Sequence, residues 1–132
     1  MKTMTKNNGS VLLIVVFAVA MLSVLTIGIL EMHTEEIQLM QNQVNAVQAL
    51  ATAEAGLNDA FSRIRQGSDP NITSTSFNGG SYAVTVTGTL PNRTITSTAT
   101  TSQGFAARVK ANVTVGSSSP YVIRIDNLRI NE

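Results

Sequence analysis

Residues 11–30 read VLLIVVFAVAMLSVLTIGIL, twenty positions without a charged side chain, and the reading of this stretch decides the fold. At about 1.5 Å of rise per helical residue it spans roughly the 30 Å of a bilayer's hydrocarbon core. It reads as a helix of membrane length. Before it lies a short polar leader, MKTMTKNNG at residues 1–9, which carries Lys2 and Lys6. After it a helix-forming pattern runs on without a break from Glu31 to about Gln66.

The chain has 132 residues, so one membrane segment and one modest extramembrane domain exhaust it. A formal charge of +1 with 13% charged residues gives no electrostatic footprint for nucleic acid, and no nucleic-acid partner is expected. Lys2 and Lys6, with the start amine, hold the N-terminus on the cytoplasmic side by the positive-inside rule. The expected orientation is N-in, C-out. Cysteine is absent, which rules out disulfides, thiol catalysis and thiolate metal sites. An ordinary secretory signal has a shorter apolar run followed by a small-x-small cleavage site. Here Ala18 and Ala20 fall inside the apolar run, where cleavage would cut the helix in half.

Gly9 and Ser10 join the leader to the helix. As plain structure, the glycine is a flexible link and Ser10 is an N-cap whose hydroxyl accepts a first-turn N–H. A basic leader, a glycine, a small residue and a twenty-residue apolar helix continued by an amphipathic one also resemble the class III signal of type IV pilins and pseudopilins. The resemblance implies a prepilin peptidase that cuts between Gly9 and Ser10 and methylates the new amine of Ser10. Loss of Lys2 and Lys6 would take the formal charge from +1 to −1. It further implies that Val11, Leu12, Leu13, Ile14, Val15 and Phe17 pack in a filament core, with other pilin or pseudopilin subunits and an inner-membrane assembly platform as partners. Most pilins carry a glutamate at the fifth mature position, and this chain has Ile14 there. A buried carboxylate in hydrocarbon is costly unless paired, so its loss eases insertion and removes one assembly contact. That departure is shared by tip pseudopilins and PilX-like minor pilins, and it points away from a main, stacked subunit.

Between residues 31 and 66 two apolar stripes step at helical spacing. Ile37, Met40, Val44, Val47 and Ala51 form the first, and Leu50, Ala53, Leu57, Ala60 and Ile64 the second. The buried face thus turns around the axis near Leu50. Either the first stripe faces other subunits while the second carries the chain's own sheet, or one domain wraps the helix throughout. Residues 10–66 as one helix would measure about 85 Å, more than so small a domain can cover. Gly28, after the β-branched Thr26 and Ile27, is the weakest helical spot in the apolar half and a candidate melting point on assembly. In the tract ALATAEAGL at residues 49–57, small side chains permit close approach, and Gly56 has no Cβ to hold a strand away. The tract resembles the A-x-A-E-A-G-L segment that closes the shared N-terminal region of PilX-like pilus assembly proteins. Helix–sheet packing is expected at Leu50, Ala53, Gly56, Leu57 and Ile64.

Residues 67–80, GSDPNITSTSFNGG, break the helix. Gly67 suits a left-handed C-cap, Asp69-Pro70-Asn71 is turn chemistry, and Asn78-Gly79-Gly80 opens a turn into a strand. The span reads as a linker loop. Four period-2 segments follow, around Tyr82–Thr87, Ile95–Ala99, Phe105–Val115 and Tyr121–Asp126, with Leu128 and Ile130 closing the last. The expected fold class is α+β and pilin-like: a leader at 1–9, a transmembrane or filament-core helix at 10–30, its amphipathic continuation at 31–66, the linker at 67–80, and an antiparallel sheet of about four strands at 81–132.

No catalytic constellation emerges, and no enzyme activity or cofactor is expected. His33, the single histidine, sits beside Glu35 and Glu36, but without a second nitrogen or sulfur donor these carboxylates read as a solvated collar. Asp69, Asn71 and Asp126 are too dispersed for a calcium loop. Three N-x-[ST] triplets begin at Asn71, Asn92 and Asn112, and read as chance matches in a threonine-rich domain. Arg108, Lys110 and Arg124, with Arg93, are a possible basic stripe on the outer sheet face, better explained as strand charges that deter edge pairing. The sequence reading is a minor pilin or pseudopilin, stored in the inner membrane and then assembled into a filament outside it. The alternative is an uncleaved, single-pass anchored domain.

Overall fold

The computed structural model describes residues 8–131. One helix, α1 (Asn8–Arg65), precedes five strands: β1 (Ile72–Phe77), β2 (Gly80–Thr87), β3 (Asn92–Thr101), β4 (Ala106–Val115) and β5 (Ile123–Ile130). The strands form one antiparallel sheet in the order β1-β2-β3-β4-β5, an α+β layout in which every neighbour in sequence is a neighbour in space. The chain divides into two units, Met1–Gln41 and Asn42–Glu132. Most of the leader, including Lys2 and Lys6, lies outside the described residues.

In the first unit the backbone is helical from Asn8 onward, so Ser10 is an interior residue and not a cap. The second unit holds the core. Ala49, Ala53, Leu57, Ala60 and Ile64 of α1 are buried against inward side chains of the strands, among them Tyr82, Val84, Ile95, Ala99, Val109, Ala111, Val113 and Val115. Burial alternates along β4 with few exceptions, as period-2 patterning requires of a sheet with one covered face. The helix ends at Arg65, where Gly67 takes φ +70° and a Schellman pair forms: Ser68 N–H donates to Arg63 O and Gly67 N–H to Ile64 O.

The sheet has five strands, not about four. The extra strand, β1, lies inside residues 67–80, the span expected as a linker. Its sequence ITSTSF carries one buried side chain, Ile72, so no alternation announces it. A two-residue hairpin creates it: Asn78 (φ 47°) and Gly79 (φ 76°) both occupy the left-handed region that a type I′ turn demands, and they join Phe77 to Gly80. At the opposite edge, β5 begins at Ile123 and contains a bulge. Val113 pairs with Ile125 and Asn112 with Asn127, which leaves Asp126 as the extra residue.

Candidate functional site

The feature that most needs an explanation is the apolar half of α1. Every large hydrophobic side chain from Val11 to Leu30 is between 48% and 72% exposed, on all sides of the helix. Val11, Leu12, Leu13, Ile14, Val15 and Phe17 belong to this sleeve. A surface helix of a globular domain is apolar along one stripe, whereas a helix apolar all round belongs in lipid or deep inside an assembly. Burying each such side chain is worth about 1.5–3 kcal/mol, so the sleeve represents tens of kcal/mol that water does not supply. Its polar groups match that environment. Ser23 Oγ donates to Val19 O at 2.8 Å and Thr26 Oγ1 to Leu22 O at 2.8 Å, so both hydroxyls are satisfied within the helix. The helix is long and apolar enough to cross a membrane near the N-terminus.

Gly9 and Ser10 are exposed helical residues, and a Cβ added at Gly9 would meet nothing within 4 Å. Gly28 is likewise open and helical. The first stripe, Ile37, Met40, Val44 and Val47, is more than half exposed at each position.

The second stripe lines the seam between α1 and the sheet. Ala53, Gly56, Leu57 and Ile64 are buried, and Leu50 packs half-buried against them. At Gly56 a Cβ would fall against Ser97 Oγ of β3 and 2.7 Å from Tyr82 Cδ2 of β2, so the backbone of α1 touches two strands there. Beside this contact, the Tyr82 hydroxyl donates to Asp59 Oδ2 at 3.0 Å, and Arg63 Nε donates to Asp59 Oδ1 at 3.4 Å. Burial first, and then the bond and charge of Asp59, raise the Tyr82 phenol above its ordinary pKa.

The remaining candidates separate. His33 Nδ1 stands 3.6 Å from Glu36 Oε2 with both side chains exposed, and among the described residues no group of three or more potential metal ligands gathers. Asp69 is engaged by Asn71, whose backbone N–H and side-chain amide both donate to Oδ1. Two of the N-x-[ST] triplets face each other across β3 and β4: Asn92 pairs with Thr114 and Thr94 with Asn112. Thr94 Oγ1 donates to Asn112 Oδ1 at 3.1 Å, which gives these residues a cross-strand role. Arg108, Lys110 and Arg124 are exposed and pair with Thr98, Thr96 and Thr114 respectively, on the outer face. Arg93 does not join them. It pairs with Val113, which is 1% exposed, and so belongs to the inner face. Its parity with Ile95, two residues on, was the available signal. No known protein family, curated protein or solved structure matches this chain.

Proposed function

We propose that the chain is a PilX-like minor pilin or pseudopilin, cut between Gly9 and Ser10, held in the inner membrane by residues 11–30, and then drawn into a filament outside it. The observation that carries this reading is the charge-free sleeve that starts directly after Gly9-Ser10, with its hydroxyls bonded inside the helix. Such a surface has to be hidden in lipid or against equivalent helices. Because both environments are apolar, transfer between them is close to isoenergetic, and an assembly motor can supply the difference. The AEAGL tract supports the reading from the other half of the chain, since there a helix and a sheet meet through small residues. Other subunits, a prepilin peptidase and an inner-membrane platform are the partners this role requires.

One observation favours a second reading, an uncleaved anchored domain: the backbone is already helical at Gly9 and Ser10, whereas a protease needs its scissile bond extended. Intact-mass spectrometry of the native chain separates the two. A filament subunit begins at Ser10 with a methylated amine, retains its leader in cells without the peptidase, and is recovered in sheared surface fibres. An anchored domain keeps residues 1–9 in both strains.

A further inference from the structure

The inner face of the sheet is covered as far as β4 and no further. Residues directly opposite on neighbouring strands share a face, so Ile125, Leu128 and Ile130 of β5 lie on the same side as their partners Val113, Ala111 and Val109. Those β4 residues are no more than 1% exposed, whereas the three β5 residues are 47–51% exposed. An apolar strip of this kind marks a place where another element packs. The free edge of β5 suits a further strand poorly, because the Asp126 bulge interrupts it and the exposed Arg124 and Arg129 flank it. What β5 offers is therefore its face.

We propose that this strip docks the first apolar stripe of α1, Ile37, Met40, Val44 and Val47, from a second copy of the chain. Each residue of that stripe is more than half exposed. The stripe runs for about 15 Å at the helical rise, and Ile125 to Ile130 for about 17 Å along the strand, so the two match in length. Their charges are opposite. Residues 7–62 carry five carboxylates, Glu31, Glu35, Glu36, Glu54 and Asp59, and no lysine or arginine, whereas residues 63–132 carry seven cations against three carboxylates. The helix of one copy is thus drawn to the sheet of another. The contact rests on the filament reading, because the stripe precedes, on the same helix, the residues at 49–64 that hold the sheet. One copy must stand ahead of the other along the axis, as copies drawn out in sequence do and copies side by side in a membrane do not. Two different faces meet, so the contact orders copies head to tail. It gives a chain with Ile14, which lacks the carboxylate contact, another means of assembly.

The chain has no cysteine, so single substitutions can be cross-linked without background. Cells producing V44C and L128C together are oxidised with copper phenanthroline, and disulfide-linked dimers are measured in sheared fibres and in membranes. In fibres the pair should give at least about tenfold more dimer than either variant alone, and in membranes little. I130C offers a second position on the strip, and N127C, on the outer face, should give no such excess with V44C. Adding E35K and E36K to V44C, or raising the salt before oxidation, should lower the yield severalfold. Three results would overturn the contact while fibres of chains beginning at Ser10 still form: no excess over N127C at either strip position, as much dimer from L128C alone, or L128C linked to a protein of another mass. An unmodified chain that keeps its leader and never enters fibres would instead remove the filament reading, and this contact with it.

Discussion

Gly56 is a helical position at which one added methyl group should do harm. Glycine to alanine inside a helix normally gains about 1 kcal/mol. Here the new Cβ would press on Ser97 Oγ and lie 2.7 Å from Tyr82 Cδ2, and the Tyr82 ring is tied down by its bond to Asp59. Overpacking of this kind costs about 1–3 kcal/mol, so Gly56→Ala should lower stability by about 1 kcal/mol net, read as a lower urea midpoint in micelles. The neighbouring Tyr82→Phe removes one hydrogen bond and should cost about 1 kcal/mol at neutral pH. Its pH dependence has a definite sign. A phenol whose pKa is raised on folding keeps its full contribution below the unfolded value of about 10, and loses it as pH rises through the higher folded value. The native chain should therefore weaken above about pH 10, and Tyr82→Phe should show less of that alkaline loss. An identical alkaline slope in both proteins would contradict this account. Gly56 was legible from the sequence because small residues at helical spacing announce close approach. Arg93 was not, because charge suggested an outward face although its parity with Ile95 points inward.

Among the elements, β5 depends most visibly on a polar anchor. Asp126, the bulge residue, accepts from Thr114 Oγ1 at 2.6 Å and from Arg124 Nε at 2.8 Å. The Thr114 bond first, then Arg124, lowers its pKa. A carboxylate lowered in this way contributes above its unfolded value of about 3.9, and its contribution fades as pH falls through the lower folded value. Acidification toward about pH 3 should loosen β5 while β2, β3 and β4 hold, seen as amide protection factors that fall in β5 alone. Asp126→Asn should reproduce part of that loosening at neutral pH, and unchanged protection in the variant would mean that the bulge is held by β4 pairing alone. The bulge leaves a trace in the sequence, since the apolar phase steps by three from Ile125 to Leu128 instead of by two. The strand β1 leaves no periodicity, because it has a single buried residue; its one local trace is Asn78-Gly79, the pair that a two-residue type I′ hairpin calls for and that folds it back onto β2. The Schellman end at Gly67 and the alternation of β4 were legible because each is fixed by residues within a few positions.

For the molecule as a whole, the sleeve at residues 11–30 is legible in the sequence, because the absence of charge over twenty positions is a property of composition and needs no tertiary partner. What hides the sleeve is not written there, since lipid and a bundle of like helices make the same demand on a side chain. The two environments separate at Gly9. A Cβ at this position meets nothing within 4 Å, and leucine adds helix propensity and apolar surface, so Gly9→Leu should not weaken the helix or its membrane affinity. Any effect on the fate of the chain must then come from recognition by another protein and not from folding. A filament subunit with this substitution should accumulate as the full 132-residue chain, remain in the membrane fraction, and fall at least about tenfold in sheared fibres, the loss of a peptidase contact worth about 1.4 kcal/mol or more. An anchored domain should show the same mass and the same distribution with either residue. Fibre recovery equal to wild type, with the leader removed as before, would mean that no enzyme reads this glycine, and the case for processing at Ser10 would go with it.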